Sequence, residues 1–208
     1  MPIRAVVFDI GGVLERVDDH AWPQTWAARW AGRSGLTLDE LFAALDAQPP
    51  IGDLLTGGAS ERQFRDLYAG VLGLDEAQAD AMMSEMWDAY CGTLDQELFD
   101  WYAGLRGRYL LGILSNSSDG ARREESRRHG IPEAADVVIY SHEVGLAKPD
   151  PAVYAVTTER LGVAPREVAF LDDSEQAVTG ARDAGWHAVL HTDTASSIGA
   201  LERLLGRA

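Results

Sequence analysis

The 208-residue sequence predicts an α/β fold built on a doubly wound parallel sheet and interrupted early by a block of helices. Three observations carry this expectation. Short apolar runs rich in β-branched residues recur at residues 3–8, 109–114, 137–140, 168–171 and 187–191. They have the length and composition of buried parallel strands. Amphipathic segments of helical length lie between and after the later runs, at about 119–129, 151–162, 174–184 and 195–206. Strand and helix in alternation describe a parallel sheet with helices on its faces. Finally, about 100 residues separate the end of the first run from the start of the second, far more than a single crossover needs.

The first run, Ile3 to Phe8, stops at Asp9 and the pair Gly11-Gly12, which reads as a strand entering a tight loop. The stretch 15–91 has helical periodicity instead, as in Trp22, Trp26 and Trp30 or Leu38, Leu41, Phe42 and Leu45. Breaks at Gly32 to Gly35, Pro49-Pro50 and Gly57-Gly58 divide it into about four helices. The expected organisation is therefore a core of residues 1–14 and 92–208 and a helical cap of residues 15–91 over the strand ends. Packing of one cap helix on its neighbours accounts for the tryptophan stripe better than a pocket lining does.

Formal net charge is −15, with acids spread along the chain, which argues against nucleic acid or an anionic membrane as partner. A small phosphorylated metabolite is compatible with this charge where a metal or a local cation offsets the field. The single cysteine, Cys91, forms no intrachain disulfide. The N-terminus leads straight into a strand-like run, and no apolar stretch reaches about 18 residues, so a cytoplasmic location is expected. The five histidines show no metal-ligand spacing. The basic and acidic run from Arg122 to Arg128 reads as a solvated helix face with i,i+3 and i,i+4 pairs.

Ligands of a doubly wound sheet sit at the carboxyl ends of its strands. Asp9, Ser115 with Asn116, Lys148, and Asp172-Asp173 all fall at predicted strand ends or in adjoining loops. Their chemistries are complementary. A carboxylate can attack phosphorus to give an aspartyl phosphate. A hydroxyl beside a helix N-terminus can hold phosphate oxygens. An ammonium can neutralise both nucleophile and phosphate, and adjacent acids can hold Mg²⁺. The chain has 17 arginines and one lysine, and that lysine is Lys148. A compact ammonium fits where a planar guanidinium would not. Each group also has an ordinary structural reading. Asp9 can be a turn residue, Ser115-Asn116 a helix cap, and Lys148-Pro149-Asp150-Pro151 a turn with Pro151 opening a helix. The adjacent acids are harder to explain that way, because their repulsion at a buried strand end is costly without a cation.

Phe8-Asp9-Ile10-Gly11-Gly12-Val13-Leu14, Leu114-Ser115-Asn116, Ala147-Lys148-Pro149-Asp150-Pro151 and Phe170-Leu171-Asp172-Asp173 resemble the four ordered motifs of the haloacid dehalogenase (HAD) superfamily. The resemblance spans nearly the whole chain and extends to the branch with a small cap after the first strand. It implies a Rossmann-like core and a Mg²⁺-dependent phosphohydrolase acting through an aspartyl phosphate on Asp9. By the same match Mg²⁺ is held by Asp9, the backbone carbonyl of Gly11 and the last two acids. Asp173 would be the direct ligand and Asp172 would act mainly through water. Ser115, Asn116 and Lys148 would bind the substrate phosphate.

The sequence departs from this pattern at Gly11, where phosphatases of the superfamily carry a second Asp that serves as general acid and base. Groups of this kind contribute about 10² to 10⁴ in rate. Glu15 and His20 follow the first motif closely enough to reach the site. The implied activity is hydrolysis of small phosphate monoesters, slow or restricted to good leaving groups. The alternatives are a non-catalytic protein that binds a phosphorylated ligand or a partner, and a 2-haloacid dehalogenase. A metal-free reaction at carbon does not call for the pair Asp172-Asp173.

Overall fold

A computed structural model describes residues 2–19 and 21–206; His20 lies outside the described residues. In chain order, β1 (Ala5–Phe8) and the short β2 (Glu15–Arg16) precede four helices, α1 (Gln24–Arg33), α2 (Leu38–Asp46), α3 (Glu61–Leu72) and α4 (Glu76–Cys91). Then come β3 (Thr93–Leu94), α5 (Gln96–Ala103), β4 (Leu110–Ser115), α6 (Ala121–His129), β5 (Val137–Tyr140) and α7 (Ser141–Val144). The chain ends with α8 (Pro151–Leu161), β6 (Val168–Asp172), α9 (Glu175–Asp183), β7 (His187–Leu190) and α10 (Thr194–Leu204). No helix among the described residues is long and apolar enough to cross a membrane.

Five strands form one parallel sheet in the order β5-β4-β1-β6-β7, so β1 is central and fully buried. Successive side chains of a strand point to opposite faces, and β1 follows that rule. Ala5 and Val7 join Ile139, Phe170, Val153 and Tyr154 on one side. Val6 and Phe8 join Ile113, Leu171, Leu98 and Tyr102 on the other. The second cluster continues without a break into the inserted helices through Leu14, Trp26, Trp30, Met82 and Cys91. Trp26 and Trp30 pack in this core, where Trp26 Nε1 donates to the carbonyl of Met82 at 3.2 Å, but Trp22 and Trp26 of the stripe also line a cavity between the inserted helices.

Three of the inserted helices start where local chemistry tells them to. Thr37 with Glu40, Ser60 with Gln63 and Asp75 with Gln78 each form a capping box, in which side chain and backbone satisfy one another's free N–H groups. The insertion leaves and rejoins the core through a two-stranded antiparallel ladder, Glu15 opposite Leu94 and Arg16 opposite Thr93. Gly92 makes this closure feasible. It adopts φ +52°, and a Cβ there would lie 2.2 Å from the carbonyl oxygen of Arg16.

The parallel strands and the helices that follow them lie where the sequence predicts, within about two residues at each end. Helix α5 is an element the sequence does not predict. Its eight residues give only two turns of periodicity, yet Asp95 caps it and Tyr102 Oη donates to the carbonyl of Gly112 at 2.8 Å. The face read as solvated on α6 also needs correction. Glu124 does pair with Arg127 and Arg128, but Glu125 is fully buried and its carboxyl meets the hydroxyl of Tyr140.

Glu125 has a companion at the base of the insertion. Glu15 is completely enclosed, and neither of its oxygens makes a hydrogen bond; Oε1 lies 3.7 Å from Nε2 of His129. Burial, followed by the charge of Glu125, raises Glu15 to about 9. Burial also raises Glu125 to about 8 and lowers His129, so Glu15 and His129 meet as neutral groups near pH 7 rather than as an ion pair. Below the ordinary value of 4.5 Glu15 is protonated in folded and unfolded chains alike. As pH rises towards about 9 the unfolded chain loses its proton first, so this group's contribution to folding stability falls across that window. Glu15→Gln, which keeps the shape and removes the titration, is expected to be more stable than the parent at pH 8, by on the order of 5 kcal/mol. Thermal melts from pH 5 to 9 check this. An advantage that does not grow with pH contradicts a protonated Glu15.

Candidate active site

The register of the central strands assembles the site. Phe8, the last residue of β1, pairs with Ile113 of β4 and with Leu171 of β6, so the three strands end within two residues of one level. The backbone N–H of Asp9 donates to the carbonyl of Leu171 at 2.9 Å, which sets Asp9 beside Asp172. Ser115, the last residue of β4, is 2% exposed on the neighbouring strand end.

Lys148 reaches this point from the loop between α7 and α8. Its Nζ is 2.9 Å from Asp9 Oδ1 and 2.6 Å from Asp172 Oδ2. The loop is held by Asn116, whose side-chain amide donates to the Lys148 carbonyl at 2.9 Å and accepts from the Lys148 N–H at 2.8 Å. Both hydrogen-bonding ends of Asn116 are therefore used in positioning Lys148, a role that sequence reasoning does not assign to it. The turn reading of the loop holds as well: Asp150 caps α8 and Pro151 is its first residue. The cap reading of Ser115-Asn116 does not, since α6 starts at Ala121 with Gly120 as its cap residue.

The oxygens of Asp9 are not equivalent. Oδ1 accepts from the backbone N–H of Ile10 at 2.8 Å and faces Lys148, so Oδ2 is the oxygen outside that pairing. In Asp172, Oδ1 accepts from the N–H of Ser174 at 2.8 Å and Oδ2 takes the lysine. Asp173, by contrast, is exposed. Ligand oxygens of Asp9, Asp172 and Asp173 all lie within 4.8 Å of one another. Gly12 permits that approach: it has φ +74°, and a Cβ would fall 2.1 Å from Asp173 Oδ2. Gly11 is different, because a Cβ built there meets nothing within 4 Å.

These charges perturb one another. Burial raises Asp9 above the usual carboxylate range and Asp172 adds to the effect, while Lys148 opposes both. Burial alone would lower the Lys148 ammonium, but Asp9 and Asp172 outweigh it and hold it above its ordinary value. Burial and Asp172 likewise raise Asp173. Three carboxylates around one ammonium leave an excess of two negative charges if all ionise, a set of hard oxygen donors that suits a divalent cation such as Mg²⁺.

The second hydroxyl of the β4 loop is structural. Ser117 N–H donates to Ser141 Oγ at 2.9 Å, and Ser117 Oγ is 3.1 Å from His142 Nδ1. Glu15, which follows the first motif closely enough to reach the site, is enclosed near His129, and its carboxyl makes no hydrogen bond to Asp9, Lys148 or Asp172. Above the β4 loop lies a cavity of about 1080 Å³ between the inserted helices, with Ser118 and Asp119 in its wall. No motif marks its lining, since its aromatic residues carry the same helical spacing as core positions.

The family model for haloacid dehalogenase-like hydrolases matches residues 3–185. A phosphatase of Mycobacterium tuberculosis, MT3486, is 32% identical over 206 residues, covering 91% of this chain and 88% of its own. The phosphoserine phosphatase of Thermus thermophilus is 31% identical, with 89% and 80% covered. The HAD family enzyme BT-2542 of Bacteroides thetaiotaomicron, solved as a point mutant in complex with magnesium and inorganic phosphate, superposes with a TM-score of 0.74 at 21% identity over 91% of this chain and 94% of that one. With the motif residues brought together at the strand ends and the family model spanning most of its length, this chain belongs to the haloacid dehalogenase-like hydrolases.

Proposed function

We propose that this hydrolase is a Mg²⁺-dependent phosphatase of small phosphate monoesters, working through an aspartyl phosphate on Asp9. The observation that carries the reading is Lys148 Nζ held between Asp9 and Asp172 at 2.9 and 2.6 Å, with Asp173 completing a three-carboxylate set. In this reading Asp9 Oδ2 attacks phosphorus, and the bond from phosphorus to the leaving oxygen breaks. Water then attacks the phosphorus of the acyl phosphate and restores Asp9. Lys148 and the Ser115 hydroxyl hold phosphate oxygens. Asn116 acts by fixing the Lys148 loop, and by its expected place beside the phosphate.

Asp9, the Gly11 carbonyl and Asp173 would hold the metal directly, with Asp172 acting through water. Bound there, Mg²⁺ supplies charge neutralisation for the phosphoryl group. Positioning and electrostatics of this kind carry most of phosphoryl-transfer catalysis. Residues 15–91 serve as a cap and residues 1–14 and 92–208 as the catalytic core, with the Glu15–Leu94 ladder as their joint. A 2-haloacid dehalogenase does not need the Asp172-Asp173 pair, and a binding protein without turnover does not need a nucleophile backed by an ammonium.

Asp9→Asn keeps the shape of the side chain but cannot attack phosphorus, so turnover of p-nitrophenyl phosphate should fall by about 10³-fold or more. The circular dichroism spectrum should not change. More than a few per cent residual activity would rule out the covalent route.

Millimolar Mg²⁺ should raise the melting temperature of EDTA-treated protein, because a cation that binds the folded carboxylates selectively stabilises that state. At about ten times its Kd the gain is roughly 1.4 kcal/mol. Asp173→Ala should abolish the shift. Identical melts with and without Mg²⁺ in the parent protein would remove the metal from the scheme.

Without a carboxyl at position 11, the departing oxygen leaves unaided, and the cost is greatest for basic alkoxides. The rate should therefore fall steeply as leaving-group pKa rises. The space around Gly11 accepts a side chain, so Gly11→Asp is expected to speed alkyl phosphates by at least about 10-fold more than aryl phosphates. Plots of log kcat/KM against leaving-group pKa for both proteins measure this. A shallow plot for the parent, with no gain in the variant, would mean that another group donates the proton.

A further inference from the structure

We infer that the cavity between the inserted helices receives the leaving group, and that it selects an uncharged, apolar alcohol of aromatic size over one bearing a second anion. The inference rests on the phosphatase reading above and goes further by naming the substrate class.

The cavity is walled by Trp22, Trp26, Phe64, Tyr68, Trp87 and Tyr90. Trp26 sits at the centre of this wall, with ring centroids 6.2 Å from Trp22, 6.0 Å from Phe64 and 5.3 Å from Tyr68. At about 1080 Å³ it exceeds what an ethyl or glyceryl group needs and matches sites that enclose larger ligands. Only three large hydrophobic residues are strongly exposed among the described residues, Phe42, Leu55 and Leu204, and the first two are at this cavity. Exposed apolar side chains gathered at a cavity mark a ligand surface.

Charge sharpens the selection. The lining includes Asp46, Asp53, Glu61 and Asp119, and no Arg, Lys or His among the described residues. Glu61 is matched from outside by Arg123, at 2.9 and 3.0 Å, and by the indole of Trp87 at 2.6 Å. A carboxylate or second phosphate on the leaving group would meet uncompensated acids and lose its water without a cationic partner.

The cavity adjoins the loop that leaves the reacting centre, through Ser118 and Asp119. Ser118 and Asp119 in its wall follow Ser115 by three and four residues, and Tyr90 brings its phenol close enough for the charges of Glu125, Glu15 and Asp9 to add to the effect of burial in raising it. A phosphate at Asp9 and Lys148 can thus extend its organic portion past Ser118 into the aromatic walls.

The test uses the full-length, Mg²⁺-loaded protein and three alkyl phosphates with similar leaving-group basicity: ethyl phosphate, 2-phenylethyl phosphate and 2-(4-carboxyphenyl)ethyl phosphate. The expected kcat/KM for the phenylethyl ester exceeds both others by about 10- to 100-fold, the range that burial of one aromatic side group provides. Leu55→Arg, a change at an exposed position, should narrow the gap between the phenyl and carboxyphenyl esters by about 10-fold. Product binding provides a readout free of catalysis: 2-phenylethanol should saturably change tryptophan fluorescence, since three tryptophans line the wall. If the carboxylated ester is used as well as the apolar one, or Leu55→Arg leaves the gap unmoved, the inference is overturned while phosphatase activity stands. If none of these alkyl esters is hydrolysed, p-nitrophenyl phosphate turnover decides the phosphatase reading and 2-phenylethanol binding decides the cavity: saturation retains it as an apolar alcohol site, and its absence overturns the inference.

Discussion

Lys148 carries its charge to a place largely shielded from water, 8% exposed at the end of the central sheet, and Asp9 and Asp172 make that tolerable. An unpaired ammonium in such surroundings would shed its proton, and an unpaired carboxylate would take one up. The three groups therefore depend on each other, and much of the fold serves to keep them together. The parallel register sets Asp9 level with Asp172, and the Asn116 amide pins the loop that carries the lysine. Arginine meets every other need for positive charge in the chain. At this one position a planar fork would have to fit between two carboxylates already 2.9 and 2.6 Å from a point charge.

The strands are legible in the sequence because burial on both faces leaves little choice of residue. Runs such as Ala-Val-Val-Phe or Val-Ala-Phe-Leu announce themselves, and the polar residues that end them are the ones that converge. Helix α5 is not legible because two turns carry too little periodicity, and the β2–β3 ladder is not because two residues per strand carry none. Within the site, residue types point to Asp9, Lys148 and the paired acids. The role of Asn116 cannot be read, since it lies in a pairing with the backbone 32 residues away and not in any pattern of side chains. Glu125 misleads for a related reason. Its neighbours Arg122, Arg123, Arg127 and Arg128 are those of a surface helix, and only the packing of β5 against α6 shows that this one position turns inward to Tyr140.

Gly11 and Gly12 are adjacent, yet opposite constraints act on them. At Gly12 a side chain is forbidden both by a left-handed backbone and by the carboxylate of Asp173, so glycine is required by the site itself. At Gly11 neither restriction applies. The absence of a carboxyl there is consequently a chemical property of this enzyme rather than a demand of its fold. In the proposed reaction the group missing is a proton donor at this position; what remains is the proposed nucleophile, a cation and a set of oxygens suited to a metal, all placed to act on the phosphoryl group and none on the leaving group.

That division bears on how a substrate is held. The chain has a net charge of −15, and the lining of the cavity above the site includes carboxylates but no cationic side chain among the described residues, so a phosphate dianion, the proposed substrate, would approach against the overall field. In the proposed phosphatase, attraction would be confined to one point, where Lys148 and a divalent metal would face the phosphoryl oxygens. Elsewhere the protein can offer only aromatic surface. The two ends of the proposed substrate would thus meet opposite environments, with intense local charge at the phosphoryl end and apolar walls at the other. Binding energy realised at the apolar end is then available to fix the phosphoryl group against Asp9. For an enzyme without a proton donor at position 11, positioning of this kind is the main lever left on rate. The cavity and the missing carboxyl are in this sense coupled features of one site.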